Sequence, residues 1–271
     1  MPRARFGKYE GSGNDFIVLD VARIEDFDPK TVPLLCDRRL GIGADGVLLV
    51  LPPKDQSAGA RMLVLNADGS VPEMCGNGLR CVALHLARTR DDTQASVLVE
   101  TDSGTRACSV RRGGSGAAEV RVDMGIVRVL ERGRLLLAAE AIDVAVVDAG
   151  NPHAVVFRDD PRADLPRLGP QIALHSFFPS GTNVELVRQR GPDAFDVFVW
   201  ERGVGPTLAC GTGACAVVAE AFASGLVTTA AVTVHLPGGA LLVTHEATTG
   251  KTELEGPARL VFEGELPELG T

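Results

Sequence analysis

Short apolar runs, rich in Val, Ile and Leu and bounded by Gly, Asp or Pro, recur along most of this chain. Runs of this length and composition are typical of β-strands. Longer apolar stretches are fewer. Residues 79–89 and 214–224 predict two clear helices, and residues 29–38 and 166–174 predict two shorter ones. The strands that the pattern predicts are 16–20, 47–51, 61–65, 96–100, 106–110, 119–123, 142–147, 154–157, 183–187, 196–199, 231–234, 240–244 and 259–262.

One strong helix in each half, among many strands, predicts an α+β fold of two similar domains. We expect each domain to be a mostly antiparallel sheet wrapped around its central helix, the two being related by an internal repeat. The expected domains are residues 1–118 and 119–257. The last predicted strand has no counterpart in the repeat, so we expect residues 258–271 to return to the first domain.

The repeat is visible in four motifs. The tetrapeptide Cys-Gly-x-Gly occurs at residues 75–78 and again at 210–213, an offset of 135. Three further motifs recur in the same order at offsets of 137, 138 and 134: Gly-Asn at 13 and 150, a Gly-initiated strand at 43 and 181, and a strand-turn segment at 62 and 196. Chance similarity does not readily keep four motifs in order at a nearly constant spacing. The chain therefore has two homologous halves.

Each copy of the tetrapeptide places a cysteine directly before a predicted helix. Unpaired N–H groups at a helix start favour a thiolate, so Cys75 and Cys210 are candidate acid/base groups. Buried structural cysteine, zinc ligation and a redox pair are the alternatives. The spacings to Cys81 and Cys215 lie outside or at the edge of the zinc range, and a His-x(3–5)-His companion is missing from the sequence. We expect Cys81 and Cys215 to be packing residues, and we predict no metal site.

The positions of the asparagines and lysines indicate the kind of ligand and limit the cofactors that we expect. All five asparagines lie inside repeated motifs, where they are either turn residues or polar groups aimed at a ligand that carries both amine and carboxylate. The glycines around both cysteines would allow a carboxylate to approach a helix start. None of the four lysines lies in a shared motif, so a pyridoxal-phosphate Schiff base is not expected and no cofactor is predicted.

The composition limits the partners and the cellular location that we expect for the protein. A net charge of −8 without a basic, aromatic patch argues against nucleic-acid binding. No apolar run approaches a membrane-spanning length, and the first ten residues lack the apolar core of a secretory signal. Six cysteines in 271 residues do not make a disulfide scaffold, so we expect a reducing, cytoplasmic location and no membrane partner.

Together these motifs resemble the diaminopimelate epimerase family, and the resemblance extends over most of the chain in family order. The matching strings are Gly13-Asn14-Asp15-Phe16, Asn66-Ala67-Asp68-Gly69-Ser70, Cys75-Gly76-Asn77-Gly78-Leu79-Arg80-Cys81, Gly150-Asn151-Pro152-His153, Asn183-Val184-Glu185, Glu201-Arg202-Gly203 and Ala209-Cys210-Gly211-Thr212-Gly213-Ala214-Cys215.

The resemblance implies a cofactor-independent isomerase that interconverts LL- and meso-diaminopimelate, in lysine and cell-wall precursor biosynthesis, and assembles as a homodimer. It implies that Cys75 and Cys210 are the acid/base pair and that His153 and Glu201 help to set their protonation. The substrate-binding residues that it implies are Asn14, Asn66, Gly76, Asn77, Asn151, Asn183, Glu201, Arg202, Gly211 and Thr212.

Two positions depart from the family pattern, and two other hypotheses about the function stay open. Gly46 stands where some relatives have a site Gln, and Phe262 stands where relatives have a Tyr that supports dimer contact. A proline or hydroxyproline racemase-type enzyme shares the two-thiol logic, but its first motif usually has His where this chain has Asn77. A non-catalytic amino-acid-binding or thiol-redox protein is the other alternative.

Overall fold

The computed structural model describes residues 4–72, 75–114 and 116–266. By compactness the chain divides into two units, Met1–Val122 with Gly256–Thr271, and Asp123–Glu255. The strands that begin in the first unit are β1 (Ala4–Gly11), β2 (Asn14–Asp20), β3 (Gly46–Leu51), β4 (Ala60–Asn66), β5 (Gln94–Thr101), β6 (Gly104–Arg112) and β7 (Ala117–Ile126). Its helices are two 3₁₀ turns at Ile24–Asp26 and Pro29–Thr31, α1 (Val32–Cys36) and α2 (Gly76–Thr89).

The second unit repeats most of this succession and has additional strands. Its strands are β8 (Arg128–Leu136), β9 (Ala141–Asp148), β10 (Pro152–Phe157), β11 (Asn183–Gly191), β12 (Ala194–Glu201), β13 (Gly205–Thr207), β14 (Ala231–Leu236), β15 (Gly239–His245) and β16 (Lys251–Leu266), the last of which continues into the first unit. Its helices are α3 (Pro161–Ala173) and α4 (Gly211–Ala223).

Strand pairing repeats between the units. In the first, β2 runs parallel to β3 and β4 parallel to β5, while the pairs β1–β2, β3–β4, β5–β6 and β6–β7 are antiparallel. In the second, β10–β11 and β12–β14 are the parallel pairs, with antiparallel neighbours β9–β10, β11–β12 and β14–β15. A parallel pair needs a crossover, and the helices supply it. The predicted two-domain α+β class is confirmed, with a mixed sheet and few helices.

The central helix of each unit is buried on nearly every side. Helix α2 packs against β1 to β6, and α4 packs against β8 to β11 and β15. Both begin with small residues and continue with Val, Ala, Leu and Cys that are closed off from solvent. A helix that is apolar all round belongs in a core. Each unit therefore folds its strands around one helix, and that helix begins at a Cys-Gly-x-Gly motif.

Three local expectations differ from the structure. Strands β1 and β8 were absent from the sequence prediction; β8 is largely solvent-exposed and charged, so it carries no apolar alternation. Helix α3 begins at Pro161, five residues before the predicted start, and includes two internal prolines. The predicted helix 29–38 is a 3₁₀ turn followed by the short α1, whose second residue is Pro33. Within the described residues no helix has the length and apolarity needed to cross a membrane.

Candidate active site

Both motif cysteines are the residues that cap a central helix. Cys75 precedes α2 in extended backbone, and its Sγ accepts a hydrogen bond from Gly78 N at 3.3 Å. Cys210 precedes α4 in the same way and accepts from Gly213 N at 3.4 Å. A side chain that accepts from the third helical N–H is an N-cap, here with sulfur in place of the usual oxygen. The predicted position of each thiol at a helix start is confirmed, although both helices begin three residues earlier than expected.

The environment of Cys210 opposes ionisation. Burial raises the pKa of this thiol well above its ordinary value, and the charges of Glu201 and Glu185 raise it further, outweighing hydrogen bonds from Thr212 and Gly213 that act in the other direction. The expectation that its helix start would favour a thiolate is therefore wrong for Cys210. Desolvation of an anion and two nearby carboxylates exceed the effect of a few N–H groups.

In the first unit, a series of hydrogen bonds fixes the side chains of Asn14 and Asn77. Arg80, which is fully buried on α2, donates to Asn77 Oδ1 at 2.9 Å. Asn77 Nδ2 donates to Asn14 Oδ1 at 3.3 Å, and Asn14 Nδ2 donates to Asp45 Oδ2 at 2.6 Å. Because a guanidinium only donates hydrogen bonds, the carboxamides of Asn77 and Asn14 each have one possible orientation in this series. The sequence predicts Asn14 and Asn77 as site residues but not Arg80.

Arg80 also ties the loop before β2 to the C-terminal strand. Its other nitrogens donate to Ser12 Oγ at 3.0 Å and to the carbonyl oxygen of Pro257 at 3.1 Å. Ser12 adopts a left-handed backbone with φ of 57°, which is uncommon for a residue with a side chain. The buried arginine thus holds a strained turn beside the predicted site residues. A charged residue among Leu79, Cys81 and Val82 on an apolar helix is the sequence signal that could have identified it.

Asn66 is placed at the end of β4, where its Nδ2 donates to Ser70 Oγ at 2.9 Å. Gly46 lies beside it as the register partner of Asn66 on β3. A side chain at position 46 would collide with the carbonyl oxygen of Leu65, because a Cβ built there falls well inside contact distance. The backbone here is therefore closed to the Gln that some relatives carry.

The second unit brings four predicted residues, Asn151, His153, Cys210 and Thr212, together with Glu185, which the sequence did not predict as a site residue. His153 and Glu185 lie on the parallel strands β10 and β11 and are both fully buried, with His153 Nδ1 2.8 Å from Glu185 Oε1. His153 Nε2 lies 2.8 Å from Asn151 Oδ1. Thr212 Oγ1 lies 3.4 Å from the sulfur of Cys210.

Three further predicted residues lie in the second unit: Asn183, Glu201 and Arg202. Glu201 Oε1 accepts from Thr207 Oγ1 at 2.6 Å. The Asn183 carboxamide bridges two backbone segments: Nδ2 donates to Pro152 O at 3.0 Å, and Oδ1 accepts from Arg202 N at 2.9 Å. Asn183 therefore has a structural role in holding the loop that carries Arg202, whatever else it contacts.

The remaining cysteines fit the packing role expected for them. Cys81 and Cys215 are fully buried in α2 and α4, and burial raises the pKa of Cys81 far above that of a free thiol. Cys36 and Cys108 are also buried. Among residues 4–72, 75–114 and 116–266, no three His, Cys, Asp or Glu side chains are grouped as metal ligands would be.

Solved structures that share this fold include proteins described as epimerases and as an isomerase. A hydroxyproline epimerase from Agrobacterium vitis aligns with a TM-score of 0.75 at 17% identity, covering 97% of this chain and 92% of its own. A protein described as a predicted epimerase from Pseudomonas aeruginosa aligns with a TM-score of 0.76 at 20% identity, covering 99% and 100%. A methylitaconate-delta-isomerase aligns with a TM-score of 0.66 at 14% identity. At these identities the likeness defines the fold alone.

The chain belongs to the diaminopimelate epimerase family, whose sequence profile it matches over residues 6–130 and 145–261. A diaminopimelate epimerase from Desulfitobacterium hafniense is 42% identical, covering 96% of this chain and 97% of its own length. Another, from Desulforudis audaxviator, is 42% identical and covers 96% and 98%. These matches confirm the family predicted from the motifs and with it an isomerase.

Proposed function

We propose that this protein interconverts LL- and meso-diaminopimelate by moving a proton at Cα between two thiol groups, without cofactor or metal. The single observation that carries the proposal is the repeated Cys-Gly-x-Gly motif, which gives each unit a cysteine at the start of its buried central helix. Relatives of almost the same length named diaminopimelate epimerase support the choice of substrate.

The proposed reaction balances with one thiolate and one thiol. The thiolate removes the Cα proton, the electron pair stays on Cα as a carbanion stabilised by its carboxylate, and the opposing thiol returns a proton to the other face. Because Cys210 holds its proton tightly in the free protein, it is the proposed proton donor and Cys75 the proposed base in one direction. N–H groups at the two helix starts, including those of Gly76 and Gly211, would receive the α-carboxylate.

The predicted polar residues would bind the rest of the substrate. We assign Asn66, Asn151, Asn183 and Arg202 to the distal amine and carboxylate, since a guanidinium and carboxamides match those groups. Asn77 would lie nearer the reacting carbon, and Asn14 is held with it by hydrogen bonding. Glu201 and His153 would set the charge around Cys210.

Incubation of the reduced protein with LL-diaminopimelate in D₂O tests this function. We expect meso-diaminopimelate to form in the presence of a metal chelator and without pyridoxal phosphate, and deuterium to enter the product before the remaining substrate. The donor thiol exchanges with solvent and delivers only to the inverted face, which explains that order. Unchanged LL-diaminopimelate with racemisation of proline would favour the racemase alternative, and binding without Cα exchange would favour the non-catalytic one.

Paired cysteine variants test the division of roles. Cys75→Ala and Cys210→Ala should each abolish turnover while the protein stays folded. Cys81→Ala and Cys215→Ala are matched controls in the same helices; removing a small buried side chain costs on the order of 1 kcal/mol and should leave the proton path intact. Equal loss of turnover in folded Cys81→Ala and Cys75→Ala would contradict the assignment.

We also propose a homodimer located in the cytoplasm. Val261 and Phe262 on β16 leave 49% and 45% of their surfaces exposed, and Phe262 packs edge-to-face on Phe6 with ring centroids 5.9 Å apart. Exposed large apolar residues on a strand are typical of subunit contacts. Light scattering should give twice the chain mass, and Phe262→Glu should lower it; a monomer at micromolar concentration would refute the dimer. All six cysteines are thiols outside any disulfide, which fits a reducing compartment.

A further inference from the structure

Glu185 is a charged residue in the middle of an apolar strand. It lies on β11 between Val184 and Leu186, and none of its surface is exposed. Its Oε1 contacts His153, whereas its buried Oε2 has no hydrogen-bond partner within the described part of the chain. Burying a carboxylate costs several kcal/mol unless its partners compensate. A buried and half-satisfied carboxylate beside the candidate site therefore calls for a functional explanation.

The carboxylate also occupies the space over the first turn of α4. A Cβ built on Gly213 would lie 3.1 Å from Glu185 Cδ and 3.2 Å from Cγ, and closer still to Oε1. Only glycine leaves room for this arrangement. The same glycine donates its N–H to Cys210 Sγ, so the thiol and the carboxylate share one helical turn.

The direction of the hydrogen bonds of His153 follows from the charge of Glu185. A carboxylate only accepts, so Nδ1 donates to Glu185 across 2.8 Å. The other ring nitrogen, Nε2, faces Asn151 Oδ1 at 2.8 Å, and a carbonyl oxygen also only accepts. With an ionised Glu185, both ring nitrogens donate in this arrangement, as they do in an imidazolium paired with a carboxylate. The Asn151 carboxamide then has its oxygen occupied and its Nδ2 left for another partner.

We propose that Glu185 is a positioning residue that acts through His153 to fix which end of the Asn151 carboxamide faces the substrate. The proposal rests on the function proposed above. With Glu185 ionised, Asn151 presents N–H donors, and these match a substrate carboxylate. Were His153 neutral, Nε2 would accept a hydrogen bond, the carboxamide would rotate, and its oxygen would repel that carboxylate.

Glu185→Gln separates charge from shape. A glutamine fills the same space and still accepts from Nδ1–H, but it no longer balances an imidazolium. We expect the KM for LL-diaminopimelate to rise about tenfold or more, the loss of a hydrogen bond to a charged group, while kcat changes less. Glu220→Gln is the matched control, because Glu220 is also buried in this unit but pairs with Arg132 instead. It should leave KM unchanged.

Asn151→Asp offers a second route to the same state, since an aspartate presents only oxygen. It should raise KM by a similar factor, and the double variant with Glu185→Gln should show little additional effect, because both changes remove one interaction. Independent, multiplying effects of the two substitutions on KM would contradict action through Asn151.

Nitrogen-15 NMR of the histidine rings tests the charge state without turnover. The resonances that disappear in His153→Gln identify His153. We expect both of its ring nitrogens to be protonated at neutral pH in the unaltered protein and only one in Glu185→Gln. A neutral His153 in the unaltered protein would overturn the proposal even if the variant failed to fold. Absence of epimerisation by the unaltered protein would refute the proposed function instead, and the NMR result would stand apart from it.

Discussion

Gly213→Ala is the substitution whose effect follows most directly from the packing at the start of α4. The new methyl would meet the carboxylate of Glu185, with Cδ 3.1 Å from the added carbon. A non-bonded carbon needs roughly 3.5 Å, so Oε1 must withdraw by on the order of 1 Å. That movement stretches its 2.8 Å contact with His153 beyond hydrogen-bond range.

The expected cost combines three contributions. Overpacking a filled core costs about 1–3 kcal/mol, and weakening a charged hydrogen bond adds about 1.5–3 kcal/mol. Replacing Gly by Ala in a helix returns about 0.5–1 kcal/mol. The net is a loss of about 2–5 kcal/mol. For a chain of this size each kcal/mol lowers Tm by roughly 2 °C, so we expect a fall of about 4–10 °C.

Thermal unfolding followed by calorimetry, with kcat/KM measured on the same samples, provides the assay. Gly191→Ala on β11 is the control, because no atom lies within 4 Å of a Cβ at that position; its Tm should stay within about 1 °C of the parent, as for other neutral substitutions. Gly78→Ala, at the equivalent position of α2, should cost less, since its nearest contact is the flexible end of Leu48 at 3.0 Å. An unchanged Tm and kcat/KM for Gly213→Ala would refute the packing argument.

Three further predictions concern charged and ionisable groups. Arg80→Lys keeps the charge but cannot reach three acceptors, so we expect about 2–4 kcal/mol lower stability in urea and a lower kcat/KM; an unchanged urea midpoint would contradict this. Although burial raises the pKa of Asp15, hydrogen bonds from Arg38 and Lys8 lower it to about 2. A carboxyl group whose pKa is lower in the folded state stabilises the fold at pH values above its unfolded-state pKa, and this contribution is lost as the pH falls. Thermal melts should therefore show stability declining between about pH 4 and 2, and declining less in Asp15→Asn. The difference in thiolate absorbance between the parent protein and Cys210→Ala reports the ionisation of Cys210. Because the pKa of Cys210 is raised, this difference should develop only above about pH 9, and its presence at pH 7 would be inconsistent with the buried environment.

The sequence predicted the long helices and the position of the thiols because the signals were local. A cysteine before two glycines and an apolar run is readable without a structure, and Ser224 followed by Gly225 with φ of +73° ends α4 as expected. The predicted starts were late because glycine has poor helix propensity, and only the fold reveals that sulfur caps the first turn.

The residues that orient the site were harder to predict. Arg80 and Glu185 each interrupt an apolar element, but an isolated charge does not indicate its partner. Their contacts join positions 177 and 32 residues apart, which no local pattern encodes. The domain limits and the individual roles of the site residues stay predictions. The sequence does not predict strand β1, because charged residues interrupt its apolar pattern; Arg5 and Glu10 form ion pairs with Glu265 and Arg259, which are distant in sequence.

The pairing of β1 with β16 has a consequence for how the chain is made. Ala4 pairs with Leu266, and Glu10 pairs with Arg259, so the pairing of β1 is complete only after residues 259–266 have been synthesised. Synthesis proceeds from the N-terminus at about 5–20 residues per second, and domains generally fold as units. The second unit, contiguous from Asp123 to Glu255, can complete its fold first. On the ribosome, the first unit is therefore the last to finish, and the edge of β1 that will pair with β16 is the one that most needs protection from aggregation.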